Sequence, residues 1–271
     1  MSRGPIKILV AVTYLLMVAV NVLASTLPIN GVQTGDVADS YPNLFTPAGV
    51  TFSIWGVIYL LLALHVLYQL GLFQASDGDR DHQALLNKVG LYFSISSLAN
   101  TAWVFAWHYD RIAVAAVLIT VILVCLIAIT RTVLAAKPTT RDRLFVGLPF
   151  SVYFGWITVA TVANITVLLV SLGWDGFGLA ESTWAVIIIL VAMAIGTATM
   201  LRNRDVAYGL VLIWAYIGIL IKHTSDDGFA GKYSTVIGTV IACLVVFLAA
   251  EALILVRRRR SPALAAEAHI G

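Results

Sequence analysis

The sequence predicts an all-α polytopic membrane protein, a bundle of about eight transmembrane helices. Of its 271 residues, 60% are hydrophobic and 11% are charged, whereas a soluble domain carries about a quarter charged residues. The mean hydropathy is +0.93. Long apolar runs recur along the chain without the alternation of barrel strands, and only helices then satisfy the backbone inside a bilayer.

Eight apolar runs are long enough to cross the membrane, which takes about 20 residues in helical form. The predicted spans are residues 7–27, 49–73, 86–107, 112–134, 144–172, 183–201, 206–221 and 235–256.

The basic residues predict the orientation, because connections rich in Lys and Arg stay in the cytoplasm. Of the 17 Lys and Arg residues, all but Arg111, Lys222 and Lys232 fall at the termini or in the second, fourth and sixth connections. Both termini are therefore expected in the cytoplasm, and the protein in the inner or plasma membrane of the cell. The four arginines 257–260 would attract anionic lipid, and we interpret them chiefly as an orientation signal.

The first span has two interpretations. Basic residues, an apolar run and then Ala24 and Ser25 are also the pattern of a cleavable signal peptide. We favour a retained helix, because its apolar run of about 20 residues exceeds the usual 7 to 15 of a signal peptide. Cleavage would leave seven spans with the same charge asymmetry.

Several kinds of site are not expected. The chain has no basic and aromatic platform for nucleic acid, its two cysteines lie singly in apolar spans, and its histidines lack metal-ligand spacing. His65 lies inside the second span, where an ionisable side chain is costly and often functional. A haem ligand or proton relay is one interpretation, and we favour a neutral histidine bonded to a neighbouring helix.

Two outward connections are candidates for a lid. Residues 28–48 are rich in Pro and Gly, contain Asp36 and Asp39, and have no basic residue. Loops of this length are more often functional than simple joins. Residues 222–234 form the other substantial outward loop. Either could cover a pocket that opens to the outer face.

Two spans each carry a polar and aromatic ridge at helical spacing. The third span has Ser96, Asn100, Trp103 and Trp107, and the fifth has Pro149, Tyr153, Trp156, Ala160, Asn164 and Ser171. One interpretation is adhesion between helices, since amides and small residues favour close packing in membranes. The other is the wall of a pocket, because ligand sites between helices combine aromatic surface with a few polar groups.

These residues resemble a known family. Trp55-x-x-x-Tyr59, Asn100-Thr101-Ala102-Trp103 and Trp156-x-x-x-Ala160-Thr161-x-x-Asn164 are similar in order and spacing to signatures of the tryptophan-rich sensory proteins, relatives of the translocator protein and peripheral benzodiazepine receptor. The resemblance covers about residues 7–170. It implies a five-helix core over residues 1–172. Residues 173–271, with three further spans and a basic tail, resemble the long bacterial branch of the family.

The resemblance also implies a function. Family members are associated with porphyrins and other planar aromatic ligands, so we expect a receptor or carrier for a hydrophobic tetrapyrrole-like ligand, in stress or tetrapyrrole signalling. No further cofactor is expected, and a homodimer is implied by analogy with relatives. The expected ligand-binding residues are Trp55, Tyr59, Asn100, Trp103, Trp107, Tyr153, Trp156, Ala160 and Asn164.

Two other classes of function stay open. A secondary transporter of a small solute would suit eight spans, but the sequence lacks a recognisable inverted repeat and, as we interpret it, buried carboxylates for ion coupling. A membrane enzyme of lipid or isoprenoid metabolism would need acidic or histidine clusters at bilayer depth. Since no catalytic constellation is recognisable, we expect a protein that is not an enzyme.

Overall fold

The computed structural model describes residues 3–27, 29–32, 34–74, 80–136 and 138–267. Within these ranges the chain forms eight long helices, each long and apolar enough to cross a membrane. They are α1 (Arg3–Thr26), α2 (Ile54–Leu70), α3 (Arg80–His108), α4 (Ile112–Ala135), α5 (Leu148–Ser171), α6 (Glu181–Asn203), α7 (Val206–Thr224) and α8 (Ser234–Glu267). The eight predicted spans are confirmed.

The first five helices form a closed ring. Helix α3 packs against α1 and α4, α4 packs against α5, and α2 completes the ring between α5 and α1. Gly90 of α3 permits the close approach on one side, because a Cβ there would lie 3.0 Å from Ile6 and Val10 of α1. Small residues of this kind allow helix backbones to approach closely in a membrane.

The last three helices attach to the outside of this ring through α7, which packs along α5, while α8 packs against α6 and α7. Gly155 of α5 forms a close point of contact: a Cβ at this position would lie 2.9 Å from the carbonyl oxygen of Tyr208. The Tyr208 hydroxyl donates to Thr158 Oγ1 at 3.1 Å. The division at residue 172 remains a prediction, and so does the membrane orientation.

A polar cluster fixes the start of α5. Asp142 caps the turn that precedes α5 through a capping box with Thr139, and it accepts a hydrogen bond from the Tyr68 hydroxyl at 2.8 Å. His82 lies 3.2 Å from the same carboxylate. The cluster ties α2 and α3 to the segment that leads into α5, and so sets the position of the α5 ridge.

His65 bonds to a neighbouring part of the bundle, the role that the sequence analysis favoured for it. Its Nδ1 donates to the carbonyl oxygen of Phe145 at 2.9 Å, and its ring lies edge-on to Phe93 and Phe150. The residue is fully buried. It therefore links α2 to the π-helical turn Arg143–Gly147 before α5.

Some residues used in the sequence argument cannot be placed. Pro28, Lys137 and His269 lie outside the described residues, and the same holds for the side chains of Asp36, Arg259 and Arg260. The described part of the first outward loop contains the short helix Thr34–Asp39, which the sequence pattern did not indicate.

Candidate ligand-binding site

The ridges of α3 and α5 face each other across one cavity inside the five-helix ring. The Trp103 indole N–H donates to Asn164 Oδ1 at 3.0 Å, which joins the two helices. Trp103 is 7% exposed and Trp156 is 2% exposed, so neither ring points into lipid. Both line the cavity, together with Trp107, whose ring stacks on Trp103 at 5.4 Å.

Seven of the nine residues expected from the sequence line this cavity. They are Trp55, Asn100, Trp103, Trp107, Trp156, Ala160 and Asn164. Helix α4 supplies the apolar side with Ile119 and Ile122, which the sequence argument did not single out. A uniformly apolar helix such as α4 gives no sign in its sequence of which face meets a site.

Tyr59 and Tyr153 stand behind the cavity wall rather than on it. Tyr59 stacks on Trp55 with ring centroids 5.4 Å apart, and Tyr153 meets the edge of Trp55 at 6.0 Å. Trp55 also lies edge-on to Trp156 at 6.2 Å. The two tyrosines therefore hold Trp55 in its orientation between α2 and α5, and such aromatic pairs each contribute about 0.5–1.5 kcal/mol beyond area burial.

Two residues of the cavity wall, Asn100 and Trp156, carry buried hydrogen-bond donors. Asn100 Oδ1 already accepts a bond from Asn21 Nδ2 of α1 at 2.7 Å. Among the described residues, neither Asn100 Nδ2 nor Trp156 Nε1 makes a hydrogen bond of normal geometry, although both atoms are buried. The Asn100 side chain also interacts with the Tyr153 hydroxyl behind the wall. A buried donor without a partner costs about 1–3 kcal/mol, so a bound molecule with an acceptor at this point would recover that energy.

Asn164 is committed to the protein itself. Its Oδ1 accepts from Trp103, and its Nδ2 donates to the Ala160 carbonyl oxygen at 3.0 Å. Asn164, which the sequence predicted as a ligand-binding residue, therefore serves as a link between helices. Asn100 is the carboxamide whose Nδ2 makes no hydrogen bond of normal geometry among the described residues.

The cavity is small in this conformation, with a volume of about 40 Å³. That volume suits a few water molecules, each of which needs roughly 10–15 Å³ on this measure. Pockets for drug-sized ligands hold about 300–1,000 Å³. A macrocycle could enter only if part of the wall moved.

The first outward loop closes the end of the cavity with Ala38, Thr46 and Pro47. Asn43 stabilises the loop internally, because its Oδ1 accepts from the backbone N–H groups of Phe45 and Thr46 at 3.0 and 2.8 Å. The segment therefore has the position of the lid that the sequence predicted.

Tyr41 ties the same loop to the turn between α3 and α4, where its hydroxyl donates to the Asp110 carboxylate. This hydrogen bond, together with burial, raises the pKa of Tyr41 to about 12. The tyrosine thus stays a neutral donor throughout the physiological pH range.

Helix α7 fastens this lid from the outside. His223 Nε2 donates to the Leu44 carbonyl oxygen at 2.9 Å, and Lys222 forms a salt bridge with Asp39 at 3.1 Å. The N–H of Ala48 donates to the Gly218 carbonyl oxygen at 3.0 Å. The second outward loop candidate, residues 222–234, therefore begins at the lid's anchor instead of covering the cavity.

The start of α2 is fastened to α7 as well. The Trp214 indole donates to the Thr51 carbonyl oxygen at 3.0 Å. Gly218 lets Thr51 approach so closely that a Cβ on the glycine would lie 1.9 Å from Thr51 Oγ1. An added helix thus sets the position of the residues that precede Trp55.

The expectation that no carboxylate is buried in the spans is wrong. Glu251 lies within the membrane-crossing part of α8, is 6% exposed, and neither of its oxygens has a hydrogen-bond partner among the described residues. It sits against Gly209, where a Cβ would be 2.0 Å from Oε1. A single acidic residue inside the last apolar run was the available sequence signal.

The sequence was compared with family models, curated proteins and solved structures. The model of the family described as TSPO-like protein matches residues 7–253. This match includes the last three helices, whereas the resemblance recognised in the sequence ended near residue 170. No significant match was found among curated proteins or among solved structures.

Proposed function

Since the chain belongs to the TSPO-like protein family, we propose that it is a membrane receptor or carrier for a hydrophobic, planar aromatic ligand bound inside the five-helix ring. The observation that carries the proposal is the convergence of Trp55, Trp103, Trp107 and Trp156 on one cavity. The role is binding rather than catalysis, and no cofactor beyond the bound ligand takes part.

The two buried donors of the cavity wall restrict the class of ligand that the cavity can bind. Indole rings offer flat surfaces on which a conjugated ring system stacks. A ligand with a hydrogen-bond acceptor at its edge would satisfy Asn100 Nδ2 and Trp156 Nε1. A tetrapyrrole with carboxylate or carbonyl groups combines both features, so it is the ligand class that the cavity favours.

Entry of such a ligand requires the cavity to open. The loop residues Ala38, Thr46 and Pro47, together with Phe52 in the turn just before α2, are the part of the wall that belongs to no long helix. We therefore assign the opening movement to the first outward loop, with α7 as the element that holds it closed. Loops of this kind move more readily than packed helices.

The proposal is tested by the small molecules that co-purify with the protein. Wild type, a Trp103→Ala/Trp156→Ala double variant and a Trp184→Ala control are purified in parallel, and their extracts are compared by mass spectrometry. Trp184 of α6 packs against Trp174 in the loop that follows α5 and does not line the cavity. We expect a conjugated, acceptor-bearing compound in wild type and control that is depleted from the double variant. Equal profiles in all three would contradict the proposal.

A second candidate function is supported by Glu251. An ionisable group at bilayer depth commonly marks an ion or proton pathway, which favours a secondary transporter driven by an ion gradient. Because the carboxylate is buried without a hydrogen-bond partner, a role in stability alone does not account for it.

This second candidate is tested in proteoliposomes. Uptake of a panel of labelled amino acids, sugars and organic acids is measured with an imposed pH gradient for wild type, Glu251→Gln and the exposed control Glu181→Gln. A transporter predicts gradient-driven uptake of at least one solute that Glu251→Gln abolishes and Glu181→Gln preserves. Absence of uptake, or uptake insensitive to Glu251, would eliminate the candidate.

A further inference from the structure

A second and much larger cavity lies at the other end of the bundle, between the five-helix ring and the added helices. Its volume is about 1,250 Å³. The walls come from the end of α4, the segment leading into α5, the α6–α7 turn and α8. We call this cavity the arginine crevice, because Arg143, Arg204 and Arg258 all line it.

The three arginines come from three separate parts of the chain. Arg143 lies in the turn before α5, Arg204 follows the last residue of α6, and Arg258 ends the membrane-crossing part of α8. Within the described residues, none of the three forms a salt bridge with a carboxylate. The Arg258 guanidinium donates one hydrogen bond to the backbone carbonyl oxygen of Arg204. Its remaining N–H groups and the guanidinium groups of Arg143 and Arg204 are available to an anion.

The carboxylates nearby offset only part of this charge. Asp205 also lines the crevice, but its oxygens accept from the Tyr208 N–H at 3.1 Å and from the Ser151 hydroxyl at 2.5 Å. Glu251 interacts electrostatically with Arg258 from behind the wall and does not line the crevice. Counted together, three arginines and these two carboxylates leave an excess of one positive charge.

The crevice becomes apolar with depth. Ile129 lies six residues before the end of α4 and Leu210 four residues after the start of α7, which places them roughly 6–9 Å further into the membrane at 1.5 Å per residue. Val133 and Phe150 continue the same wall. A charged rim over an apolar wall matches a molecule with an anionic head and a hydrocarbon tail.

We propose that the arginine crevice binds an anionic phospholipid, with the headgroup phosphate at Arg143, Arg204 and Arg258 and an acyl chain along α4 and α7. Basic pockets between helices at a membrane surface recognise acidic lipids in this way. The site is separate from the aromatic cavity and does not depend on its ligand. The bound lipid would join the added helices to the five-helix ring.

Native mass spectrometry of the delipidated full chain in a non-ionic detergent tests the proposal. Phosphatidylglycerol and phosphatidylcholine with the same acyl chains are titrated, and glycerol phosphate serves as a soluble anion without a tail. We expect phosphatidylglycerol to bind at least tenfold more tightly than phosphatidylcholine and glycerol phosphate to compete poorly. Equal binding of the two lipids would overturn the proposal. Effective competition by glycerol phosphate would also overturn it, because the crevice would then be a site for a soluble anion. A stable dimer that excludes lipid would overturn it as well, because a second copy of the chain would then occupy the crevice.

Variants locate the binding. Arg204→Gln and Arg258→Gln should each weaken phosphatidylglycerol binding about fivefold, the change that corresponds to about 1 kcal/mol per basic residue at an anionic lipid surface. Arg202→Gln is the matched control, since Arg202 is exposed two residues earlier and does not line the crevice. Arg143→Gln provides an independent variant on the opposite wall if either of the others fails to fold. An equal loss in the control, or no loss in a folded variant, would contradict the assignment.

Discussion

Trp103 and Asn164 are joined by a hydrogen bond of 3.0 Å from the indole N–H to the carboxamide oxygen. The bond crosses from α3 to α5 at the wall of the aromatic cavity. It fixes the plane of the Trp103 indole ring and occupies the carboxamide oxygen of Asn164. One residue of the α5 ridge thus acts as a link between helices, while its neighbour on the wall, Trp156, keeps an unpartnered N–H.

The Trp103–Asn164 bond should be measurable as an interaction energy. Asn164→Leu removes the acceptor and leaves the Trp103 N–H buried without a partner, so we expect a loss of about 1–3 kcal/mol of unfolding free energy. Adding Trp103→Phe removes the orphaned donor, and the double variant should lose less than the sum of the single losses. Denaturant unfolding in detergent of the four proteins gives the coupling energy. Strict additivity would show that the bond contributes nothing.

Asn100 should determine affinity for ligands that carry an acidic group. Asn100→Asp keeps the oxygen that accepts from Asn21 and replaces the Nδ2 donor with a second acceptor. We expect binding of protoporphyrin to weaken by roughly 5- to 150-fold, which corresponds to 1–3 kcal/mol. Absorbance titration of the porphyrin measures the change. The dimethyl ester lacks the repelling carboxylates and should lose less, and an equal loss for both compounds would count against contact at Asn100.

Gly218 should be intolerant of a side chain. A Cβ there would overlap Thr51, with 1.9 Å to Oγ1 and 2.8 Å to Cβ, so Gly218→Ala has to displace the start of α2 and with it Phe52 and Trp55. Overpacking of this kind costs typically 1–3 kcal/mol. Thermal unfolding provides the measurement. Gly238→Ala in α8 is the control, because no atom lies within 4 Å of its added Cβ, and similar effects at the two sites would refute the close contact.

The sequence could predict the elements that depend on local pattern. The eight spans follow from apolar length, and the ridges of α3 and α5 follow from helical spacing, so the tryptophans that line the aromatic cavity could be predicted. Contacts between segments that are distant in the sequence could not be predicted. Nothing local indicates that Thr51 packs on Gly218 or that Asn100 pairs with Asn21, because each pairing depends on which helices become neighbours. Glu251 was visible in its apolar run, but its burial follows only from the packing of α8.

Loosening the lid should speed backbone hydrogen exchange in the lid without unfolding the bundle. His223→Leu removes the donor that holds the Leu44 carbonyl, and we expect faster hydrogen exchange in residues 40–48 with little change in α3 or α5. Thr224→Ala is the neighbouring control, because its hydroxyl bonds only to Leu220 within its own helix. Unchanged exchange in the loop of a folded His223→Leu protein would mean that α7 does not anchor the lid.

The most direct test of the central claim is a titration of purified protein with protoporphyrin, followed by quenching of tryptophan fluorescence. We predict saturable quenching with one ligand per chain, weakened at least tenfold in Trp156→Ala and Trp103→Ala and preserved in Trp184→Ala. All variants are checked for cooperative thermal unfolding before comparison. Quenching that rises linearly without saturation, or that is the same in the folded cavity variants as in wild type, would contradict a ligand site between α2, α3 and α5.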